Sequence, residues 1–320
     1  MMADKQSTRV AYGKALAELG AKNEKVLAVD ADLAHATMTV DFATQYPDRF
    51  YNFGIAESNM MAAASGLANS GYTVFASTFA LFGAGRAYEQ IRNSICYTHA
   101  NVKLGLSHAG PSCGEDGGSH QSVEDIALMR VLPDMTVLVP CDAIEMKKAV
   151  FAAAEKDGPV YIRTGRLPTD ICTAETTPFE IGKAITLREG SDVVIFACGI
   201  MVAQALEAAE LLAAEGVSAA VVNVHTIKPL DEECVLRMAN ACGAVVTAEE
   251  HSVIGGLGAA IAESLMGKTC ASFERVGILD RFGQSGKPQD LFREYGLTSE
   301  AIVKACKRVI MQKHASSQQR

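Results

Sequence analysis

Short apolar runs alternate with helical patterns along most of the chain, and this alternation limits its fold more than any other feature. In the first half, the predicted strands are 25–29, 74–76, 102–106, 136–139 and 160–162. The predicted helices are 8–19, 58–68, 84–95, 122–129 and 143–155. Such alternation is typical of a parallel sheet with helices on both faces. The first half is therefore predicted to be a doubly wound α/β domain.

The same alternation resumes after a less regular stretch that contains Pro178 and several threonines. The predicted strands are then 193–197, 219–224 and 244–248, and the predicted helices are 202–214, 232–241, 259–266 and 298–313. The sequence thus predicts two doubly wound α/β domains with mainly parallel sheets, at 1–170 and 191–315. Residues 171–190 are predicted to be a linker, and 316–320 a disordered tail.

The composition argues against several classes of function. The 320 residues are 49% apolar and carry a formal net charge of -8, without the runs of lysine and arginine that a nucleic-acid surface needs. The N-terminus is polar, and the most apolar stretch, 193–214, is interrupted by Gln204, Glu207 and Glu210, so neither a signal peptide nor a membrane span is predicted. The 9 cysteines form no Cys-x-x-Cys pair, which indicates a reducing cytoplasm and no zinc site.

Three segments of the first domain follow predicted strands, where parallel α/β sheets carry their chemistry. They are 54–60 (GIAESNM), 77–82 (STFALF) and 107–121, which contains GEDGGSHQ. Glu57 begins a helix, and from position alone it is expected to complement the helix dipole. The Gly-rich segment 107–121 has two histidines and two acids, which suit a metal, a phosphate or a polar substrate. It is neither a GxGxxG nor a P-loop motif, so nucleotide binding has little support.

These three motifs, in this order and at these separations, resemble the pyrimidine-binding domain of transketolase. The resemblance extends from about Arg9 to the C-terminus, because the second domain is similar to the transketolase C-terminal domain. The chain is therefore identified as resembling the C-terminal half of a split transketolase. The resemblance implies thiamine diphosphate as cofactor, and ketol transfer from a ketose phosphate to an aldose phosphate.

The resemblance also implies roles for individual residues. Glu57 is expected to hydrogen-bond a ring nitrogen of the cofactor's aminopyrimidine, which promotes loss of the proton from the thiazolium carbon. Phe79 and Phe82 match the aromatic pair around the pyrimidine, and Asp32 matches an acidic residue near the thiazolium. The expected catalytic residues are Glu57, His108 and His120, and the expected substrate-binding residues are Arg9, His108, Asp116, His120 and Arg166. Arg163 lies close enough in sequence to be confused with Arg166 as a phosphate ligand.

The sequence departs from the family pattern at two places. Ala36 stands where the family usually has a serine that helps to hold phosphate, and His35 and Thr37 are candidates to compensate. The segment 82–86 is one residue longer than in some relatives. We therefore expect the anionic end of the substrate to be bound in an altered way.

The diphosphate-binding motif GDG is absent from the chain, so no metal ligand is predicted here. Mg²⁺ (or Ca²⁺) is expected on an N-terminal partner subunit that carries this motif, in an α2β2 assembly. The stretch 249–252, ahead of a Gly-rich turn, is expected to be structural or to contact another chain. Alternatives are an enzyme similar to 1-deoxyxylulose-phosphate synthase, a 2-oxoacid dehydrogenase β subunit, or a non-catalytic regulatory subunit that kept the fold.

Overall fold

The computed structural model describes residues 5–318, and the side chains of 5–315. Its larger sheet has seven strands in the order β12-β6-β7-β5-β4-β2-β3. Six of them are mutually parallel, whereas β12 pairs antiparallel with β6. The bounds are β2 Val26–Asp30, β3 Phe50–Asn52, β4 Thr73–Phe79, β5 Val102–Ser107, β6 Thr136–Leu138, β7 Val160–Arg163 and β12 Thr226–Lys228.

The smaller main sheet has five strands in the order β14-β13-β10-β11-β9. Its bounds are β9 Ile185–Arg188, β10 Val193–Ala197, β11 Ala219–Asn223, β13 Ala244–Ser252 and β14 Ser272–Ile278. All its pairings are parallel except that of the edge strand β9. A third sheet pairs β1 Gln6–Ser7 with β8 Pro168–Thr169. The two parallel sheets confirm the predicted fold class.

Helices cover the sheets. In the first half they are α1 Thr8–Lys22, α2 Ala34–Thr37, α3 Val40–Gln45, α4 Glu57–Asn69, α5 Tyr88–Gln90, α6 Asp125–Arg130 and α7 Ala143–Glu155. In the second half they are α8 Met201–Ala214, α9 Glu232–Cys242, α10 Leu257–Leu265, α11 Pro288–Tyr295 and α12 Ser299–Gln318. Among residues 5–318, no helix has the length and apolar content that crossing a membrane requires.

The structure differs from the sequence-based predictions in three places. Strand β9 lies inside the predicted linker 171–190, because this edge strand is half-buried throughout and lacks a continuous apolar run. The final helix continues through Gln318, so the predicted disordered tail 316–320 is helical over 316–318, and residues 319–320 lie outside the described part. Strand β12 crosses from the second half of the chain into the first sheet, which no local pattern signals.

One apolar cluster joins the two halves. It includes Met60 and Leu104 from the first sheet and its helices, and Val194 and Val245 from the second sheet, all with no exposed surface. Because β12 also pairs across the boundary, the two α/β units share both a core and a sheet. Their relative placement is therefore set by packing rather than by a flexible connection.

A polar network crosses the same junction. Arg163, at the end of β7, donates from Nε to Asp125 Oδ2 at 2.7 Å and from Nη2 to the Glu250 carbonyl at 2.9 Å. Burial alone would raise the pKa of Asp125, but the charge and hydrogen bonds of Arg163 outweigh it and hold that pKa below its usual range. His251 Nε2 accepts from the Ile126 backbone N–H at 3.1 Å. The stretch 249–252 therefore contacts the first unit from within this chain.

We predict that Arg163→Met destabilises the protein by about 3–5 kcal/mol, because it leaves the buried Asp125 carboxylate without its positively charged partner, with only the Tyr161 hydroxyl still donating to it. The measurement is urea unfolding at pH 7. Arg188→Met is the control, since Arg188 and Glu210 form an exposed pair at 3.9 Å that is worth about 1 kcal/mol or less. Equal losses in the two variants would contradict the role assigned to Arg163.

Candidate active site

The candidate site lies where the carboxyl ends of β2, β4 and β5 meet. Parallel strands end at one edge of their sheet, so the segments that follow them come together. These segments are 31–37 after β2, 80–86 after β4 and 108–121 after β5. The amino end of α4, which starts at Glu57, lies beside them. The residues expected from the sequence are thereby collected at this edge, while their individual roles stay predictions.

Glu57 is buried, with 3% of its surface exposed, although it is the first residue of a helix. Arg86 Nη1 contacts both carboxylate oxygens of Glu57, at 2.8 and 3.0 Å. The Arg86 side chain is 53% exposed, so it bridges solvent and the buried carboxylate. Its guanidinium also lies 4.5 Å from the centre of the Phe82 ring, which fixes its direction. Arg86 thus fixes the orientation of the Glu57 carboxylate through two charge-assisted contacts.

Four rings form a platform next to this pair. The Phe79 and Phe82 rings stack with centroids 5.6 Å apart, and the His108 ring stacks on Phe79 at 3.9 Å. His120 presents its edge to Phe82 at 5.2 Å. Phe79 and His108 are buried, whereas Phe82 and His120 are half-buried. Accessible aromatic surface beside a buried carboxylate suits a polar heteroaromatic ring.

The segment after β4 forms a π-helix, Leu81–Arg86, in which each turn holds one residue more than an α-helix. Gly83 lets the π-helix pack closely against β5, because a Cβ there would lie 2.5 Å from Leu106 Cδ1. The π-helix therefore directs both Phe82 and Arg86 toward the site.

His108 is buried and adopts a left-handed backbone with φ of 59°. Its Nδ1 lies 2.6 Å from Ser107 Oγ, which fixes the ring. Burial, assisted by the positive charges of Arg9 and Arg166, lowers the pKa of His108 to about 3. The imidazole is therefore neutral at physiological pH, with one nitrogen that accepts and one that donates.

Two arginines face the Gly-rich segment. Arg166 Nη1 donates to the Cys113 carbonyl at 2.7 Å and lies 3.2 Å from Asp116 Oδ2. Arg9 Nη1 donates to the Ala36 carbonyl at 2.8 Å, and its buried Nε has no hydrogen-bond partner among the described residues. Burial and the nearby charge of Arg166 lower the pKa of Arg9. An anion between these two side chains would relieve their mutual repulsion.

Arg163 is excluded from this anion site by its burial at the junction with Asp125, which separates it from the partly exposed Arg166. Thr37 is likewise unavailable to compensate for Ala36, because its hydroxyl donates to Asp30 Oδ2 at 2.8 Å. His35 is exposed. At position 36 the side chain facing the substrate is therefore the methyl group of alanine instead of the hydroxyl of serine.

Asp32 is exposed and has a left-handed φ of 65°. It exchanges hydrogen bonds with Asn52, whose Nδ2 lies 3.2 Å from Asp32 Oδ1. Its neighbour Asp30 is buried and accepts from Leu33 N at 2.6 Å, which folds the 31–37 segment. Burial raises the pKa of Asp30 to about 6. Asp30 is therefore structural, whereas Asp32 remains accessible at the rim.

Two family models match the chain: the transketolase pyrimidine-binding domain at residues 4–169 and the transketolase C-terminal domain at 182–302. The chain belongs to the transketolase family. A protein of Methanocaldococcus jannaschii described as a transketolase C-terminal section is 46% identical, covering 92% of this chain and 94% of that protein. The chain thus corresponds over its length to the C-terminal portion of a divided transketolase.

Three further proteins similar to this chain are also described as transketolases or transketolase subunits. The 6-deoxy-6-sulfo-D-fructose transketolase subunit SqwH of a Clostridium species is 45% identical, covering 96% of this chain and 95% of that protein. Transketolase of Homo sapiens is 38% identical, and the match covers 96% of this chain but 49% of the human protein. A solved structure described as a split-gene transketolase, an inactive β4 tetramer, superposes with a TM-score of 0.89 at 50% identity, covering 97% of this chain and all of that one.

The chain fits one half of the cofactor that transketolases use. The buried Glu57 carboxylate and the ring faces of Phe79 and Phe82 suit an aminopyrimidine. A metal-bound diphosphate needs several oxygen ligands, and within residues 5–318 no three His, Cys, Asp or Glu side chains are arranged to hold a metal ion.

Sequence reasoning missed Arg86 as a partner of Glu57. The two are 29 residues apart and meet only because α4 and the π-helix start at the same sheet edge. The signal available was the longer 82–86 segment, which was interpreted as a change in phosphate binding. Asn52, which holds Asp32, carried no signal in the sequence.

The lowered pKa of His108 predicts a pH-dependent stability. Because the folded pKa of about 3 lies below the unfolded value of about 6.5, this group's contribution is complete above pH 6.5 and is lost as the pH falls toward 3. Between pH 7 and pH 5 the loss is about 2 kcal/mol. We expect His108→Gln to lose about that much less than the wild type in urea unfolding. The exposed His35→Gln should keep the wild-type slope, and a His108→Gln slope equal to it would refute the buried neutral imidazole.

Proposed function

We propose that the chain is the C-terminal subunit of a split, thiamine-diphosphate-dependent transketolase that acts with an N-terminal partner. The supporting observation is the buried Glu57 carboxylate beside the Phe79–Phe82 platform, at the edge that also collects His108 and His120. The reaction transfers a two-carbon ketol unit from a ketose to an aldose.

Thiamine diphosphate supplies an electron sink for the two-carbon fragment. Glu57 shares a proton with the pyrimidine ring nitrogen, and Arg86 keeps the carboxylate oriented toward it. Phe79 and Phe82 would contact the ring with their aromatic side chains, and we assign Asp32 to the thiazolium end. The neutral His108 and the neighbouring His120 exchange hydrogen bonds and protons with the sugar's carbonyl and hydroxyl oxygens.

Arg9 and Arg166 bind the anionic end of the sugar, and Asp116 binds a hydroxyl. The unpartnered Arg9 Nε and the closeness of the two arginines support an anion at this position. Ala36 removes a hydroxyl that phosphate would use. A relative named for a sulfonated fructose supports testing sulfonate as well as phosphate sugars. We propose sugar phosphates as the first class to assay.

The partner supplies the GDG motif and binds Mg²⁺ or Ca²⁺ with the diphosphate. The absence of that motif from this sequence supports placing the metal and diphosphate ligands on the partner. We propose an α2β2 heterotetramer in the cytoplasm that serves sugar interconversion of the pentose phosphate type.

We predict that the purified chain alone binds thiamine diphosphate weakly and is inactive, since the diphosphate ligands are elsewhere. Co-expression with a subunit that carries GDG should give an α2β2 complex by light scattering, and ketol transfer on a panel of ketose and aldose phosphates. Robust transfer by the isolated chain would contradict partner dependence. Acyl transfer from pyruvate, without ketol transfer, would favour an enzyme similar to 1-deoxyxylulose-phosphate synthase.

Arg166→Ala should raise the KM of an anionic sugar by about ten- to a hundredfold, because a charge-assisted contact to the anion is worth about 1.5–3 kcal/mol. The KM of the matching uncharged sugar should hardly change. The control is Arg92→Ala, which removes an exposed arginine whose side chain is hydrogen-bonded to Asn93 Oδ1. The same effect on charged and uncharged sugars would show that Arg166 does not bind the anion.

A further inference from the structure

We propose that the second α/β unit positions the Gly-rich loop, here defined as residues 108–121, for catalysis. This inference rests on the proposed function, in which Asp116 and His120 of that loop face the sugar. The second unit contacts the loop through Glu250 on β13 and through the 279–287 segment, which connects β14 to α11.

The first contact holds the start of the loop. Glu250 Oε1 accepts from the Ser112 backbone N–H at 2.6 Å, and a Cβ at Gly110 would lie 2.4 Å from the same oxygen. Gly110 has a left-handed φ of 76°, so glycine is needed there for both conformation and space. Burial raises the pKa of Glu250 to about 7, while the charge of Arg163 opposes that rise. Arg163 Nη1 lies 3.7 Å from the other Glu250 oxygen and fixes this side chain.

The second contact holds the end of the loop, next to His120. Gln121 is 2% exposed, and its Nε2 donates to the Gly114 carbonyl at 2.8 Å and to the Gln284 carbonyl at 3.0 Å. The Gln121 side-chain amide therefore links the end of the loop to Gly114 within the loop and to Gln284 in the second unit. Gly283 packs directly against it, because a Cβ there would lie 2.0 Å from Gln121 Oε1.

The third contact is made by the residues on either side of Asp116. Ser285 Oγ donates to the Glu115 carbonyl at 2.7 Å. A Cβ at Gly118 would lie 2.4 Å from the Gly283 carbonyl oxygen. The backbone on both sides of Asp116 is thus in contact with the 279–287 segment.

The loop's own backbone hydrogen bonds join residues three or four positions apart, such as the bond from the His120 N–H to the Gly117 carbonyl at 2.9 Å. Gly114 and Gly117 adopt backbone angles that other residues rarely reach, with φ of 82° and 77°. Glycines increase the number of conformations open to a chain, so contacts from neighbouring segments restrict the loop further. A displacement of about 1 Å in a positioning group can cost about a hundredfold in rate. The 279–287 segment and Glu250 supply this constraint, and none of their residues has to touch the sugar.

The test uses Gly283→Ala and Ser285→Ala, with Gln289→Ala on α11 as an exposed control. In the isolated chain, hydrogen–deuterium exchange of the backbone amides of 112–121 should be about tenfold faster in Gly283→Ala, because Gln121 has to leave its two carbonyl partners. In the assembled complex, kcat/KM should fall about 10- to 100-fold for Gly283→Ala and about 2- to 10-fold for Ser285→Ala. Ser285→Thr, which keeps the hydroxyl, should restore most of the loss.

Two results would overturn the proposal: unchanged exchange in both variants, or faster exchange with unchanged kcat/KM. Thermal unfolding of each variant distinguishes a more mobile loop from a destabilised fold. If Gly283→Ala does not fold, the result for Ser285→Ala decides the test. A wild-type complex without ketol transfer would instead refute the proposed function. The exchange measurement on the isolated chain would then decide the positioning by itself.

Discussion

The arrangement of the two α/β units depends on the contacts of one buried side chain, that of Arg163. It stands at the end of β7, satisfies Asp125 at the start of α6 and reaches the backbone and carboxylate of Glu250 in the second unit. Glu250 in turn holds Ser112 of the Gly-rich loop. Two acids and one arginine without access to water tolerate few alternative arrangements, because any unpaired charge among them is costly. One network thereby fixes the two units and the start of the loop together.

The candidate site combines two kinds of support. The edge of the parallel sheet brings Glu57, Phe79, Phe82 and His108 together from three segments, the start of α4, the end of β4 with the π-helix after it, and the residue after β5. These segments are held by the first unit's own core. Arg86 orients the carboxylate without being buried itself. The Gly-rich loop, by contrast, is also hydrogen-bonded to the second unit, at Glu250 and at the 279–287 segment. The groups assigned to the cofactor therefore lie on the first unit alone, whereas Asp116 and His120, assigned to the sugar, lie on a loop that both units contact.

The sequence predicted the fold class well, because the alternation of apolar runs and helical patterns is local. The roles of the site residues came from the resemblance and stay predictions. Continuous apolar runs identified the buried parallel strands, and the motifs around Glu57, His108 and His120 identified the segments at their ends. It could not predict features that arise from distant pairings. Strand β12 joins the first sheet from 63 positions beyond the end of β7 (163 to 226), and Arg86 meets Glu57 across two elements. Arg163 and Arg166 are three residues apart, yet Arg163 is buried against Asp125 and Arg166 is partly exposed beside Asp116. Edge strand β9 escaped notice because half-buried edges lack a strong hydrophobic pattern.

The measurement that tests the central claim most directly is hydrogen–deuterium exchange at the thiazolium carbon of cofactor bound to the assembled complex. Glu57→Gln keeps the side-chain volume but cannot share a proton with a ring nitrogen. We predict that exchange slows by about 10²–10⁴-fold at matched cofactor occupancy. Glu89→Gln, at an exposed position near the site, should exchange as the wild type does. Wild-type exchange in Glu57→Gln would contradict the assignment of Glu57, and with it the proposed role of this chain.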